Sequence, residues 1–194
     1  MNNKYENFYI NCRTPFIPTQ GQSDILSAFE NDMNLLIVKV RQCGASTTLC
    51  ILALQQAIES KKLIYICADT NQLSRLLFEC IDKLHTAYKG EIPKIKNMTT
   101  KEIHFENGSI IKSIGSVSNQ RGLKQADIMF IETYDYMFGA TSEVDVISGY
   151  TRYSKKTIIS IEPSSNNWKR QQFVESAIDH DFGVILVDNI NIGI

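Results

Sequence analysis

The sequence has no apolar stretch long enough to cross a bilayer, and its start, Met1 to Arg13, lacks the apolar core of a signal peptide. Together these absences predict an intracellular protein with no membrane partner. Neither sign of charge is in excess: 20 Lys and Arg face 21 Asp and Glu, for a formal net charge of -1. Composition therefore gives no general reason to expect nucleic acid, although a local basic groove remains compatible with it. A disulfide framework is excluded as well. The five cysteines are odd in number, and Cys50, Cys67 and Cys80 sit inside apolar runs, as reduced core residues do. His85, His104 and His180 lack ligand-like spacing, which argues against a histidine metal centre. Repeats and low-complexity tracts are missing too. What remains is 194 residues, 43% hydrophobic and 21% charged, an ordinary balance for one well-buried domain.

The chain is organised around Leu35 to Thr48, LLIVKVRQCGASTT. An apolar, β-branched run is followed by a short polar loop and then by helix-forming residues from Leu49, the layout of a phosphate-binding loop. In such a loop peptide N–H groups converge, and the new helix directs its positive end at the bound anion. Gly44 lets the backbone approach a ligand closely, and Ser46 and Thr47 offer hydroxyls where a nucleotide's Mg²⁺ needs one. The standard pattern has Gly-Lys-Ser/Thr at its end, whereas this chain has Gly44-Ala45-Ser46. The basic residue stands at the head instead: Arg41, with Lys39 as second candidate, is placed to reach the β- and γ-phosphates. A plain strand-turn-helix junction capped by Ser46 is the competing reading.

In chain order, Met1 to Thr14 reads as a polar arm, and Pro15 and Pro18 hold the next segment extended. Ser23 to Glu30 is a short amphipathic helix, and Gln22 ahead of it is either an adenine reader or a helix cap. Leu49 to Ser60 is helix, Leu63 to Ala68 a strand buried on both faces, and Asp69 and Thr70 cap a helix reaching about Tyr88. Gly90 to Thr100 reads as loop. Glu102 to Ile114 alternates around Asn107-Gly108, a hairpin signal. Asp127 to Glu132 is an apolar strand closing on a carboxylate, and Thr157 to Ile161 another, leading into Glu162. Trp168 to Ile178 reads as helix and Gly183 to Asp188 as a last strand. Strands alternating with helices predict an α/β fold, a mainly parallel sheet flanked by helices with an inserted antiparallel hairpin. Ligands in such sheets lie beyond the carboxyl ends of the strands, so Glu132 should meet the loop at Arg41 to Thr47.

Taken together, these segments resemble the ATPase domain of the large terminase subunit, the motor that packages DNA into tailed-phage and related viral capsids. The resemblance rests on the order of the motifs. Phe16, Pro18, Gln22, Ile25 and Leu26 match a Phe-x-Pro-x-x-x-Gln stretch with its apolar pair. Arg41, Gln42, Gly44, Ser46 and Thr47 match an Arg-Gln-x-Gly-x-Ser/Thr-Thr loop. Asn107, Gly108 and Ser109 match a hairpin turn, Arg121 and Gly122 an Arg-Gly pair, and DIMFIE the acid-ended strand. Ser160 to Ser164 stands where the coupling loop lies, with Pro163 its matching residue.

The resemblance implies a P-loop NTPase of the ASCE/RecA-like class over residues 15–194, behind the arm of residues 1–14. It implies ATP and Mg²⁺ as cofactors. Gln22 would read adenine, Arg41 and the amides of Gln42, Cys43, Gly44, Ala45, Ser46 and Thr47 would hold the phosphates, and Ser46 and Glu132 would hold the metal. Arg121 would serve a neighbouring subunit's nucleotide, and Arg41, Arg121 and Glu132 would be the catalytic set. The implied partners are double-stranded DNA, the portal protein of a procapsid, a small terminase subunit and further copies in a ring, in the cytoplasm of an infected host. Where the family has two acids, this chain has Glu132-Thr133, so the second carboxylate role falls to Glu132 through water, to Asp135 or to Glu162. The nuclease domain that follows such motors is expected to be absent from this chain. A catalytically inactive nucleotide-binding scaffold and a helicase-like ATPase are the competing functions. Arg152, Lys155, Lys156, Lys169 and Arg170 are candidates for contact with a DNA backbone.

Overall fold

Leu35, Leu36, Ile37 and Val38 carry no polar side chain, so a strand made of them is stable only where both its faces are covered. In the computed structural model they form the middle of β3 (Asn34–Lys39), and all four are buried. The structure describes residues 4–10, 12–31, 34–68, 70–114, 122–133, 147, 151–162 and 174–187. A two-residue ladder of β1 (Tyr9–Ile10) and β2 (Thr14–Pro15) precedes helix α1 (Gln20–Asn31). After β3 come α2 (Ala45–Glu59), β4 (Leu63–Ala68), α3 (Asn71–Ala87), β5 (Ile95–Met98), β6 (Glu102–Phe105), β7 (Ile110–Ile114), β8 (Ala126–Thr133), β9 (Ser154–Ile161) and β10 (Phe182–Val187).

Eight of the strands form one sheet, in the order β10-β3-β9-β8-β4-β7-β6-β5. Every neighbouring pair from β10 to β7 is parallel, and only β6 runs against the rest. The side-chain period of two then divides the core. Leu35, Ile37, Ile64, Ile66, Ile128, Phe130 and Ile158 face α1, α2 and α3, while Leu36, Val38, Tyr65, Cys67, Met129, Ile131 and Ile159 face the other way with Ala177 and Phe182. Helix α2 is apolar on nearly every side, which suits its place between the sheet, α1 and α3.

Several expectations are revised by these elements. Ile95–Met98, expected as loop, is a strand paired antiparallel with β6; its polar, exposed residues hide it from hydrophobic patterning. The expected antiparallel hairpin is present as β6 and β7, and because β7 pairs with β4 it extends the sheet edge. Helix α1 begins three residues early because Thr19 and Gln22 form a capping box: Gln22 N–H donates to Thr19 Oγ1 at 3.4 Å and Thr19 N–H to Gln22 Oε1 at 3.0 Å. In the N-terminal lead, Tyr5 and Phe8 are buried against α3 and its C-terminal Tyr88. Of the expected helix from Trp168, residues 174–179 are helical and the start lies outside the described residues.

The Asn107-Gly108-Ser109 turn has a further use. Asn107 Nδ2 donates to Ala57 O at 2.7 Å, and Ser109 Oγ contacts Ala57 O at 2.9 Å and Ser60 O at 3.1 Å. These carbonyls belong to the last turn of α2 and to the residue that follows it, where no helical amide reaches them. Gly108, at φ 84°, permits the turn that brings both side chains there. Ser109 is fully buried, and Lys62 N–H donates to its Oγ at 3.3 Å. Ser109→Ala should therefore cost about 1–3 kcal/mol by leaving buried groups unpaired, read as a lower urea midpoint with an unchanged slope.

Candidate nucleotide site

Strands β3, β9 and β8 lie side by side, and their carboxyl ends reach the same sheet edge. The register aligns Val38 with Ile161 and Glu132 with Ser160, so Lys39, Glu162 and Glu132 emerge together. Lys39 shares its parity with Leu35 and Ile37, Glu132 with Ile128 and Phe130, and Glu162 with Ile158. All three side chains thus fall on the α2 face.

Helix α2 starts at that edge. Gln42 (φ 60°) and Gly44 (φ 77°) both adopt left-handed backbone, which turns successive peptide N–H groups inward as an anion nest requires. Gly44 is the N-cap residue, and no side chain caps the helix. Ser46, expected under the plain-junction reading to cap, lies inside the first turn and instead donates from Oγ to Glu132 Oε1 at 2.7 Å. The loop's first-turn amides are thereby left for a ligand rather than for a side chain.

Gln22 braces the loop from behind. Its Nε2 donates to Gly44 O at 3.3 Å while its Oε1 serves the capping box with Thr19. A Cβ on residue 44 would stand 2.6 Å from that nitrogen, so glycine is required both by the backbone angle and by the approach of Gln22. Both ends of the Gln22 amide are engaged within the chain. The Thr19-x-x-Gln22 spacing just ahead of Ile25 and Leu26 was the sequence signal for this role.

The charges at the edge form a linked set. Lys39 is only 4% exposed and Glu132 only 2%, and Lys39 Nζ lies 2.9 Å from Glu132 Oε1. Lys39 also reaches Glu162 Oε1 at 3.4 Å, while Arg41 Nε contacts Glu162 Oε2 at 2.9 Å. Burial works to lower the Lys39 pKa, but the charge and hydrogen bond of Glu132, with Glu162 behind them, outweigh it and hold the ammonium above its usual value. Glu132 Oε2 is buried with no hydrogen-bond partner. Arg41 is 82% exposed and rests on the rim, paired there with Glu162. Of the two basic candidates, Lys39 forms the floor of the site and Arg41 its mouth.

Other expected residues fall as follows. Cys43 is buried in the core and Ala45 is buried beneath the loop, while Thr47 is half-buried in the first turn of α2. Gly122 is left-handed at φ 86°, but Arg121, Asp135, Pro163, Ser164, Lys169 and Arg170 lie outside the described residues. Lys155 and Lys156 stand at the amino ends of the strands, opposite the loop. Lys155 pairs with Asp127 at 2.7 Å, and Lys156 lies 4.0 Å over the Phe29 ring, so both serve internal contacts. Among the described residues no group of His, Cys, Asp or Glu forms a ready metal cluster.

No protein-family profile and no curated protein matches this sequence. Solved structures do. The large terminase of bacteriophage HK97 superposes with a TM-score of 0.73 at 12% identity, over 94% of this chain and 41% of that one. The large terminase of the thermophilic bacteriophage D6E, in complex with ATP-gamma-S, gives 0.63 at 10% identity over 88% and 45%. The fold is that of the large terminases. The UvsW helicase of bacteriophage T4 gives 0.59 at 15% identity over 93% of this chain and 63% of that one. The chain spans less than half the length of these two terminases. In this chain β9 lies between the loop strand β3 and the acid strand β8.

Lys39→Met should leave Glu132 as a buried carboxylate without its ion-pair partner, lowering stability by about 3 kcal/mol or more. Arg41→Ala, at an exposed pair, should change stability by less than about 1 kcal/mol. Urea unfolding of the two variants side by side measures the contrast.

Proposed function

We propose that this chain is the ATPase motor domain of a viral terminase large subunit, coupling ATP hydrolysis to translocation of double-stranded DNA into a procapsid. The observation that carries the reading is the 2.7 Å contact between Ser46 and Glu132, which joins the phosphate loop to the acid-ended strand inside a terminase fold. Arg41 turns from the rim to the β- and γ-phosphates, and the amides of residues 42–47 hold the phosphate oxygens.

The donor set fits a magnesium ion. A hydroxyl and a carboxylate already converge, and the second oxygen, Glu132 Oε2, is buried with no hydrogen-bond partner among the described residues. Ser46 and Glu132 would hold the ion, which when bound offsets charge on the phosphates. Lys39, 2.9 Å from Glu132 Oε1, holds that carboxylate in place.

The partners follow from the same reading: duplex DNA, a portal ring on the procapsid, a small terminase subunit and further copies of the chain in a ring. Arg121 then belongs to a neighbour's nucleotide. Among the described residues no helix is long and apolar enough to cross a membrane, and the host cytoplasm is the proposed setting. The likeness to the UvsW helicase favours a second reading, a nucleic-acid-dependent ATPase working without a capsid. Binding to a portal ring separates the two, since only the packaging motor needs it.

Arg41→Ala should weaken ATP binding about tenfold or more, the worth of a hydrogen bond to a charged group, as measured by titration with a fluorescent ATP analogue. Glu132→Ala should lower DNA-stimulated ATP turnover by roughly 100-fold. Equal turnover in that variant and the unaltered chain would place the metal site elsewhere.

A further inference from the structure

Hydrolysis by the proposed motor needs a carboxylate to take a proton from the attacking water, and the residue after Glu132 is Thr133. Glu132 is poorly placed to serve, since its Oε1 is shared by Ser46 and Lys39 at the buried floor of the site. A second carboxylate stands on the next strand. Glu162 directly follows β9, which lies between the loop strand and the acid strand. One ammonium, Lys39 Nζ, touches both carboxylates, at 2.9 Å for Glu132 and 3.4 Å for Glu162. Glu162 is the more open of the two to solvent, at 13% exposure against 2%.

Resting on the nucleotide reading above, we propose that Glu162 is the catalytic base, replacing the acid missing at position 133. Arg41 holds Glu162 Oε2 at 2.9 Å from an exposed position. The phosphates of ATP offer the guanidinium a bidentate partner in place of that carboxylate. The water oxygen attacks the γ-phosphorus, the bond to the β-γ bridging oxygen breaks with its electron pair leaving on ADP, and the water proton passes to Glu162 Oε2. Lys39 is a positioning residue in this scheme: it holds the two acids side by side and offsets their repulsion.

The test uses the full chain with ATP and MgCl₂, following binding with a fluorescent ATP analogue and chemistry by single-turnover hydrolysis. Glu162→Gln should bind Mg-ATP as well as the unaltered chain or up to about tenfold more tightly, while hydrolysis of the bound nucleotide slows about 100-fold or more. Glu162→Asp, which keeps the charge but shortens its reach, should slow hydrolysis at unchanged affinity and unfolding midpoint. Hydrolysis by Glu162→Gln within about threefold of the unaltered rate overturns the proposal, as does a loss of affinity and stability with the rate per bound nucleotide retained. An unaltered chain that binds Mg-ATP but never cleaves it overturns the base assignment and leaves the nucleotide site standing. A chain that binds no nucleotide overturns both.

Discussion

A lysine ammonium and a glutamate carboxylate buried together must find each other, because either one alone in such a place costs several kcal/mol. The pairing of Lys39 with Glu132 imposes that condition on the centre of this protein. It fixes the relative height of β3 and β8, which are not neighbours, and Ser46 brings the first turn of α2 to the same oxygen. Glu162 closes the set from the strand between them. The loop geometry, the strand register and the position of the acids are therefore solutions to one electrostatic problem.

The same condition accounts for the unusual loop. The loop has Ala45 where the standard phosphate-binding pattern has lysine, and the cations of this edge stand instead at Lys39 and Arg41. One cation is set into the floor at the end of the strand, and the other is carried on the rim by Arg41. The two have different physical characters. Lys39 is desolvated and locked, so it contributes field and order. Arg41 is solvated and stands at the mouth of the site, paired with Glu162.

Much of this was legible in the chain. LIYICA and DIMFIE are too apolar for anything but buried strands, Asn107-Gly108 marks its turn, and an acid closing an apolar run points to the ligand edge. Lys39 was harder to read, since a lysine ending a strand ordinarily marks an exposed edge, and its partner Glu162 is 123 residues away. Only the register of three strands brings them together. Gln22 was read as an adenine reader or a helix cap, and its capping partner, Thr19, stood three residues upstream. The strand Ile95–Met98 escaped because an exposed edge strand need show no hydrophobic period, and its Lys96 suits an edge that must not pair with a second sheet.

The far end of α2 carries a consequence of its own. Its last carbonyls are satisfied by Asn107 and Ser109 from a turn about 50 residues further along the chain, while its first turn is tied to Glu132. The helix is buried on nearly every side, and two of the three partners described for the hairpin tip's buried hydroxyl are carbonyls at its end. Neither can open locally without stranding the other's polar groups. The last turn of α2 and the tip of the β6–β7 hairpin thus form one cooperative unit of local unfolding, and the helix that begins at the phosphate loop is among the parts of the chain least able to fray.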